Sequence, residues 1–444
     1  MRKITFLIIL LPCMAFGQLS YDERIGQAIN ACDWFALDSI YNEVPKDSVS
    51  PFLEMFARCM LSHHFNRTDI SIPDFAEFVN TQSESLGIGN IVSSTILYGM
   101  DLARVGNYTG AAQLLTSIAE AVRPYAEVPL LNMLEQFAAL YTALSAYHPY
   151  QLSFPADASM GVVPFKLGGI GPEKKQQQVI QLLGSTINGR DADIKFDTGA
   201  GINIISEELA AQYDLVPLDV PFDVKGYGTK TGRFALVREM KIGNITVTDV
   251  PFLIVPLSTG NAKADKYFKD FFNLVVGCEL MLQLKDLTFD FQRSEILVPS
   301  VAPLRSDEKP NMCFSSGMGL LAKATIKDTP LTIVIDTGNP NYISLANTFL
   351  ERNETYVRTQ GKKGSSRLAG LGGVRVDKYY RLSDMPLTLG GNSAVVPVVD
   401  VARVSGRKSA SATDANNNLG LNSLMLFGKV RFNLVDFVLT TEPR

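Results

Sequence analysis

Two stretches of this chain, TINGRDADIKFDTG (186–199) and TIKDTPLTIVIDTG (325–338), align without a gap at a spacing of 139 residues. Further along, GYG (226–228) answers GLG (370–372) at a spacing of 144, and VVG (275–277) answers NLG (418–420) at 143. LTFDF (287–291) and VRFNL (430–434) match at 143 as well. One Asp-Thr-Gly triplet occurs by accident; four landmarks in the same order at nearly one lag do not. The region from about 180 to 444 is therefore one unit built twice.

In each copy a strand-like run, DADIKF or LTIVI, leads into the Asp, and a Gly that permits a tight turn follows. The pattern predicts a carboxylate at the end of a buried strand in each half. A pseudo-twofold axis would then bring Asp197 and Asp336 together. Carboxylates about 3 Å apart cannot both ionise, so such a pair shares one proton. One member takes a proton from water while the other polarises a carbonyl. Thr198 and Thr337 can tie the two turns together, and the Gly199 and Gly338 amides can donate to the carboxylates. That chemistry is peptide hydrolysis by activated water, and it uses no histidine, metal or nucleophilic serine. Histidine is indeed scarce: His63, His64 and His148 are the three, and none follows in the last 296 residues. A Ser–His, Cys–His or His-rich zinc site inside the repeated region is excluded on that ground.

The repeated region resembles the retropepsin/pepsin clan of aspartic proteases in its single-chain, two-lobed form. The resemblance rests on DTGAG (197–201) followed by INIIS, on GYGTKTG (226–232) and on NLVVGCELM (273–281) in the first half. In the second half it rests on DTGNP (336–340), LAGLGGV (368–374) and NLGLNSLML (418–426). It implies a mainly β, bilobal acid-protease fold with lobes at 181–300 and 301–444 and no cofactor. It implies Asp197 and Asp336 as the catalytic dyad, with Thr198, Gly199, Thr337 and Gly338 supporting the catalytic loops. Gly226, Tyr227, Gly228 and Thr229 fall where the clan carries its flap, and Gly370 and Gly372 where a second flap would lie. The sequence departs from the clan at Asn339-Pro340, where Asn339 stands in for a hydroxyl as a donor to the carboxylate. Neither Ala200 nor Asn339 offers a hydroxyl to an ionised carboxylate, which points to a pH optimum of roughly 5–7.

Residues 1–17, MRKITFLIILLPCMAFG, run from Arg2 and Lys3 through an apolar stretch to small residues, the order of a secretory signal peptide. The leader resembles those of Gram-negative exported proteins, so a periplasmic or secreted location is expected. No later segment reaches about 18 consecutive apolar residues, so no integral membrane span is expected. From 18 to 150 the apolar spacing is helical. ILYGMDLARVGNYTGAAQLLTSIAEAV (96–122) resembles a tetratricopeptide-type helical hairpin, and ERIGQAINACDWFALDSIYNEVP resembles a weaker copy. The fold class expected is thus multidomain α and β: a helical hairpin domain, then the bilobal β region. The helical domain reads either as a docking surface for a protein partner or as a packed accessory domain. Residues 151–180, rich in Pro and Gly, read as a connection carrying one strand, VVPFKL.

Lys plus Arg number 41 against 45 Asp plus Glu, so no net positive field recruits nucleic acid. His63 and His64 are adjacent on a predicted helix and point about 100° apart, which argues against a shared metal ion. Cys32 and Cys59 either pair or remain buried thiols. GLGGV lacks the strand–helix context and the GKS or GKT of a phosphate loop. The basic stretches 360–367 and 406–418 read as solvated loops. Two functions stay open: an exported aspartic endopeptidase, or an inactive peptide- or protein-binding module that keeps the bilobal cleft.

Overall fold

The computed structural model describes residues 19–82, 87–170, 177–225, 229–257, 272–315, 318–370, 373–403 and 417–444, with a few positions between 262 and 269. The leader read at 1–17 lies outside the described residues. The chain divides into two compact units, Met1–Pro149 and Tyr150–Arg444.

The first unit is helical: α1 (Tyr21–Ala31), α2 (Trp34–Glu43), α3 (Pro51–His64), α4 (Thr68–Gln82), α5 (Ile88–Arg104), α6 (Tyr108–Val122) and α7 (Val128–Leu144). Each packs on the next in sequence. The starts are set by local chemistry. Ser20 and Glu23 form a capping box at α1, and the Asp33 and Asn107 side chains accept from backbone amides at α2 and α6. Trp34, Leu37, Ala111 and Leu115 are buried. The two adjacent histidines meet edge to face, 4.9 Å between ring centroids, and take different partners. His64 stacks on Trp34 at 3.7 Å between ring centroids, whereas His63 Nδ1 lies 2.9 Å from Asp101 Oδ1. Asp101 also accepts from Ser71 and Arg104, so this buried carboxylate is fully partnered.

The second unit is β-rich and repeats one topology. In its first half we label β1 (Met160–Ile170), β2 (Gln177–Leu182), β3 (Lys195–Phe196), β4 (Ile204–Ser206), β5 (Val216–Lys225), β6 (Thr229–Ile242), β7 (Ile245–Val255), β8 (Leu274–Val276), β9 (Asp286–Asp290) and β10 (Glu295–Pro299). In its second half follow β11 (Leu320–Ile326), β12 (Thr329–Asp336), β13 (Ile343–Leu345), β14 (Lys362–Gly370), β15 (Gly373–Leu389), β16 (Asn392–Ala402), β17 (Asn418–Gly420), β18 (Phe427–Asn433) and β19 (Val438–Pro443). In the first half β8 runs parallel to β3 and antiparallel to β4, and β4 runs parallel to β7. In the second half β17 runs parallel to β12 and antiparallel to β13, and β13 runs parallel to β16. The β5–β6 and β14–β15 hairpins occupy the same place in the two schemes.

The halves are joined by β9 and β18, which pair antiparallel with Thr288 opposite Arg431. Those two residues are 143 apart, the lag of the repeat itself. Equivalent residues facing each other in an antiparallel pair place a local twofold axis through that pair. Arg431 closes the joint with a bidentate pair to Asp286 at 2.9 and 2.7 Å.

Two readings left open by the sequence are resolved in the structure. The segment read as a connection, 151–180, carries β1 and the start of β2, which pair with each other and extend the sheet of β9 and β10. The strand read at VVPFKL is present and runs further, from Met160 to Ile170. Pro164 fits inside β1 because its carbonyl is what the structure uses, accepting from Leu183 N at 2.8 Å. Cys32, Cys59, Cys278 and Cys313 are all free thiols, so Cys32 and Cys59 do not pair.

Candidate active site

Each Asp-Thr-Gly turn follows a strand, though of the DADIKF run only Lys195–Phe196 forms one, β3, while β12 runs Thr329–Asp336. The Asp197 amide donates to Val276 O of β8, which fixes where the turn begins. From there the two turns interlock. Thr198 N donates to Thr337 Oγ1 and Thr337 N to Thr198 Oγ1, both at 3.0 Å. Thr198 Oγ1 donates to Ile335 O at 2.8 Å, and Thr337 Oγ1 to Phe196 O at 3.0 Å. Every bond has its partner 139 residues on, and both threonines are fully buried. A buried, reciprocal and fully satisfied network holds its members in one geometry.

Above this knot the Asp197 and Asp336 carboxyls are brought together, each lying against the glycine of the opposite turn and within reach of the other's charge. Glycine makes the approach feasible. A Cβ on Gly338 would lie 2.3 Å from Asp197 Cγ, and one on Gly199 would lie 2.5 Å from Asp336 Oδ1. The donors are unequal. Asp197 Oδ1 accepts from the Gly199 and Gly338 amides at 2.8 and 3.1 Å. Asp336 Oδ1 accepts from Asn339 N at 2.9 Å, and its Oδ2 from Asn418 Nδ2 at 2.6 Å. Burial holds both carboxyls above the usual carboxylate range, and at Asp197 the Asp336 charge adds to it. The pair therefore keeps one proton at pH values where isolated carboxyls have lost theirs.

The structure thus brings Asp197, Thr198, Gly199, Asp336, Thr337 and Gly338 into one cluster. Thr229 opens β6 opposite Lys225, and Gly370 ends β14 opposite Gly373. Gly226, Tyr227, Gly228 and Gly372 lie outside the described residues. Asn339 does not place its side chain on the carboxylate as expected. Its backbone amide does so, while its side chain donates to Asn418 Oδ1 at 2.6 Å.

A second layer was not singled out from sequence. Cys278 Sγ reaches Thr198 O at 3.0 Å, and Asn203 Oδ1 accepts from Gly277 N at 3.0 Å. Asn203 Nδ2 donates to the Tyr150 hydroxyl, which donates to Glu279 Oε2 at 2.9 Å. Burial pushes Glu279 up to about 7, with the Tyr150 bond pulling the other way. A folded-state pKa above the unfolded value means that stability falls as pH rises from about 4.5 through that value. Glu279→Gln keeps an acceptor for Tyr150 and removes the charge. Thermal melts should therefore coincide near pH 4, and the variant should melt about 2–4 °C higher at pH 8.

Residues 184–266 match the model of the aspartyl protease family, which supports an aspartyl protease domain there. The match includes Asp197 and the β5–β6 hairpin. No curated protein matches the chain.

Proposed function

We propose that the chain is an exported aspartic endopeptidase in which Asp197 and Asp336 form the dyad of a bilobal, retropepsin/pepsin-like cleft. The observation that carries the reading is the close pairing of two carboxyls on equivalent, interlocked turns of a duplicated unit. Water attacks the peptide carbonyl and gives a proton to the ionised member, while the protonated member gives its own to the carbonyl oxygen. Breakdown of the tetrahedral diol returns a proton to the leaving nitrogen and restores the pair. A cleft that only bound peptide would draw nothing from two buried acids sharing a proton, so the non-catalytic reading is the weaker one. Under the same proposal the leader at 1–17 directs export to the periplasm or medium. The tetratricopeptide-like helical unit serves as a contact surface for a protein partner.

Both limbs of the pH profile follow from the shifts. The acid limb marks protonation of the ionised member and the alkaline limb loss of the shared proton. With both carboxyls raised, the maximum belongs at roughly pH 5–7. Digestion of a denatured protein mixture from about pH 3 to 8, with and without pepstatin, tests this. Pepstatin-sensitive cleavage peaking in that window is expected. Folded protein that cleaves nothing would overturn the peptidase reading, and a peak below about pH 3.5 would overturn the electrostatic one.

A further inference from the structure

The duplication is broken at two positions beside the carboxyls. Where the second half carries Asn339 and Asn418, the first carries Ala200, at the 139 lag, and Val275, at the 143 lag. The two asparagines form a chain whose direction is fixed from one end. The Asn341 backbone N–H can only donate, and it meets Asn339 Oδ1 at 3.0 Å. Asn339 Nδ2 must then face Asn418, whose Oδ1 accepts at 2.6 Å. That leaves Asn418 Nδ2 as the donor aimed at Asp336 Oδ2, at 2.6 Å. Leu421 N also donates to Asn339 O at 2.7 Å, holding the relay's base against the strand that carries Asn418.

We infer that Asn418, braced by Asn339, is a positioning residue that holds the negative charge on Asp336 and so makes Asp336 the base and Asp197 the acid. A side-chain N–H aimed at a carboxyl oxygen favours the ionised form. Asp336 has this donor in addition to the Asn339 amide; Asp197 has backbone donors alone. Of the titratable groups that act on Asp336, Asp197 is a second carboxyl and Cys278 a thiol that burial keeps protonated. Neither supplies a competing positive charge. Two substitutions in one copy of the repeat thus divide the labour between otherwise equivalent acids.

The inference rests on the dyad proposed above, so its test needs a readout independent of turnover. Asn418→Leu keeps the heavy-atom branching of the side chain and removes the donor. Selective 13C labelling of aspartate, with Asp197→Asn for assignment, gives the titration of the pair in the folded protein by NMR. In Asn418→Leu the lower midpoint should rise by about one pH unit or more. The acid limb of kcat/KM should move with it, and kcat should fall about 10- to 100-fold with little change in KM. Asn339→Ala, which leaves Asn418 unbraced, should move both quantities the same way by less, and the double variant should be no worse than Asn418→Leu. Asn339→Ala stands in if Asn418→Leu fails to fold. Unmoved midpoints in the folded variants would overturn the inference. A wild type that cleaves nothing while the midpoints do move would sink the peptidase reading and leave the relay standing.

Discussion

Asp197→Asn is expected to lower kcat/KM by at least about 10³-fold while leaving the fold and its melting temperature intact. The reason lies in what the amide can and cannot imitate. Its oxygen still accepts from the Gly199 and Gly338 amides. Its nitrogen can donate toward Asp336, as a protonated carboxyl would. What is lost is a proton that can be transferred. Asp336→Asn should be equally inactive but less stable. Asp336 accepts from Asn339 N on one oxygen and Asn418 Nδ2 on the other, so an amide nitrogen must face one of these donors. A buried donor left facing a donor costs about 1–3 kcal/mol. Kinetics on one peptide and melts of both variants check this. A stable Asp336→Asn alongside an unstable Asp197→Asn would reverse the assignment.

Gly338→Ala should cost nearly as much through sterics alone. Its methyl carbon would lie 2.3 Å from Asp197 Cγ, against the roughly 3.5–4.0 Å at which carbon atoms settle. The carboxyls must part by about 1 Å, a displacement that can cost about 10²-fold in rate. The threonine knot lies below the turn and does not involve the glycine side, so the β unit should still fold. Activity measured beside a melting curve separates the two effects. A folded Gly338→Ala variant of full activity would mean that the close pairing of the carboxyls is not what the chemistry uses.

The duplicated β unit was legible because its signal is local and occurs twice. A strand ending in Asp-Thr-Gly specifies a buried strand and a tight turn, and two copies specify a twofold relation. The threonine bonds follow from the same three residues. In segment 151–180 the strand at VVPFKL was legible, but the flanking Pro and Gly residues hid its full length, 160–170, and its place in the sheet. Only the pairing of β1 with both β2 and β10 shows that the carbonyl of Pro164 is the group in demand.

The relay and the second layer were hidden for a different reason. Asn339 and Asn418 are 79 residues apart, and Tyr150 reaches Glu279 across 129. No local pattern links such residues. One clue was present: a polar Asn418 at the first position of a motif whose other copy is apolar Val275. An asymmetry inside a repeat marks where the copies have diverged in role, and it is worth reading before the structure is at hand.

The central claim is that water, activated by a carboxyl pair drawn from two halves of one chain, cleaves peptide bonds. Digestion of a denatured protein in 18O-water, by wild type and Asp197→Asn in parallel, tests it most directly. Mass spectrometry should find new peptides from the wild type, each with one solvent oxygen in its new C-terminal carboxyl, and none from the folded variant. Peptides that persist in Asp197→Asn, or a folded wild type that yields none between about pH 3 and 8, would contradict it.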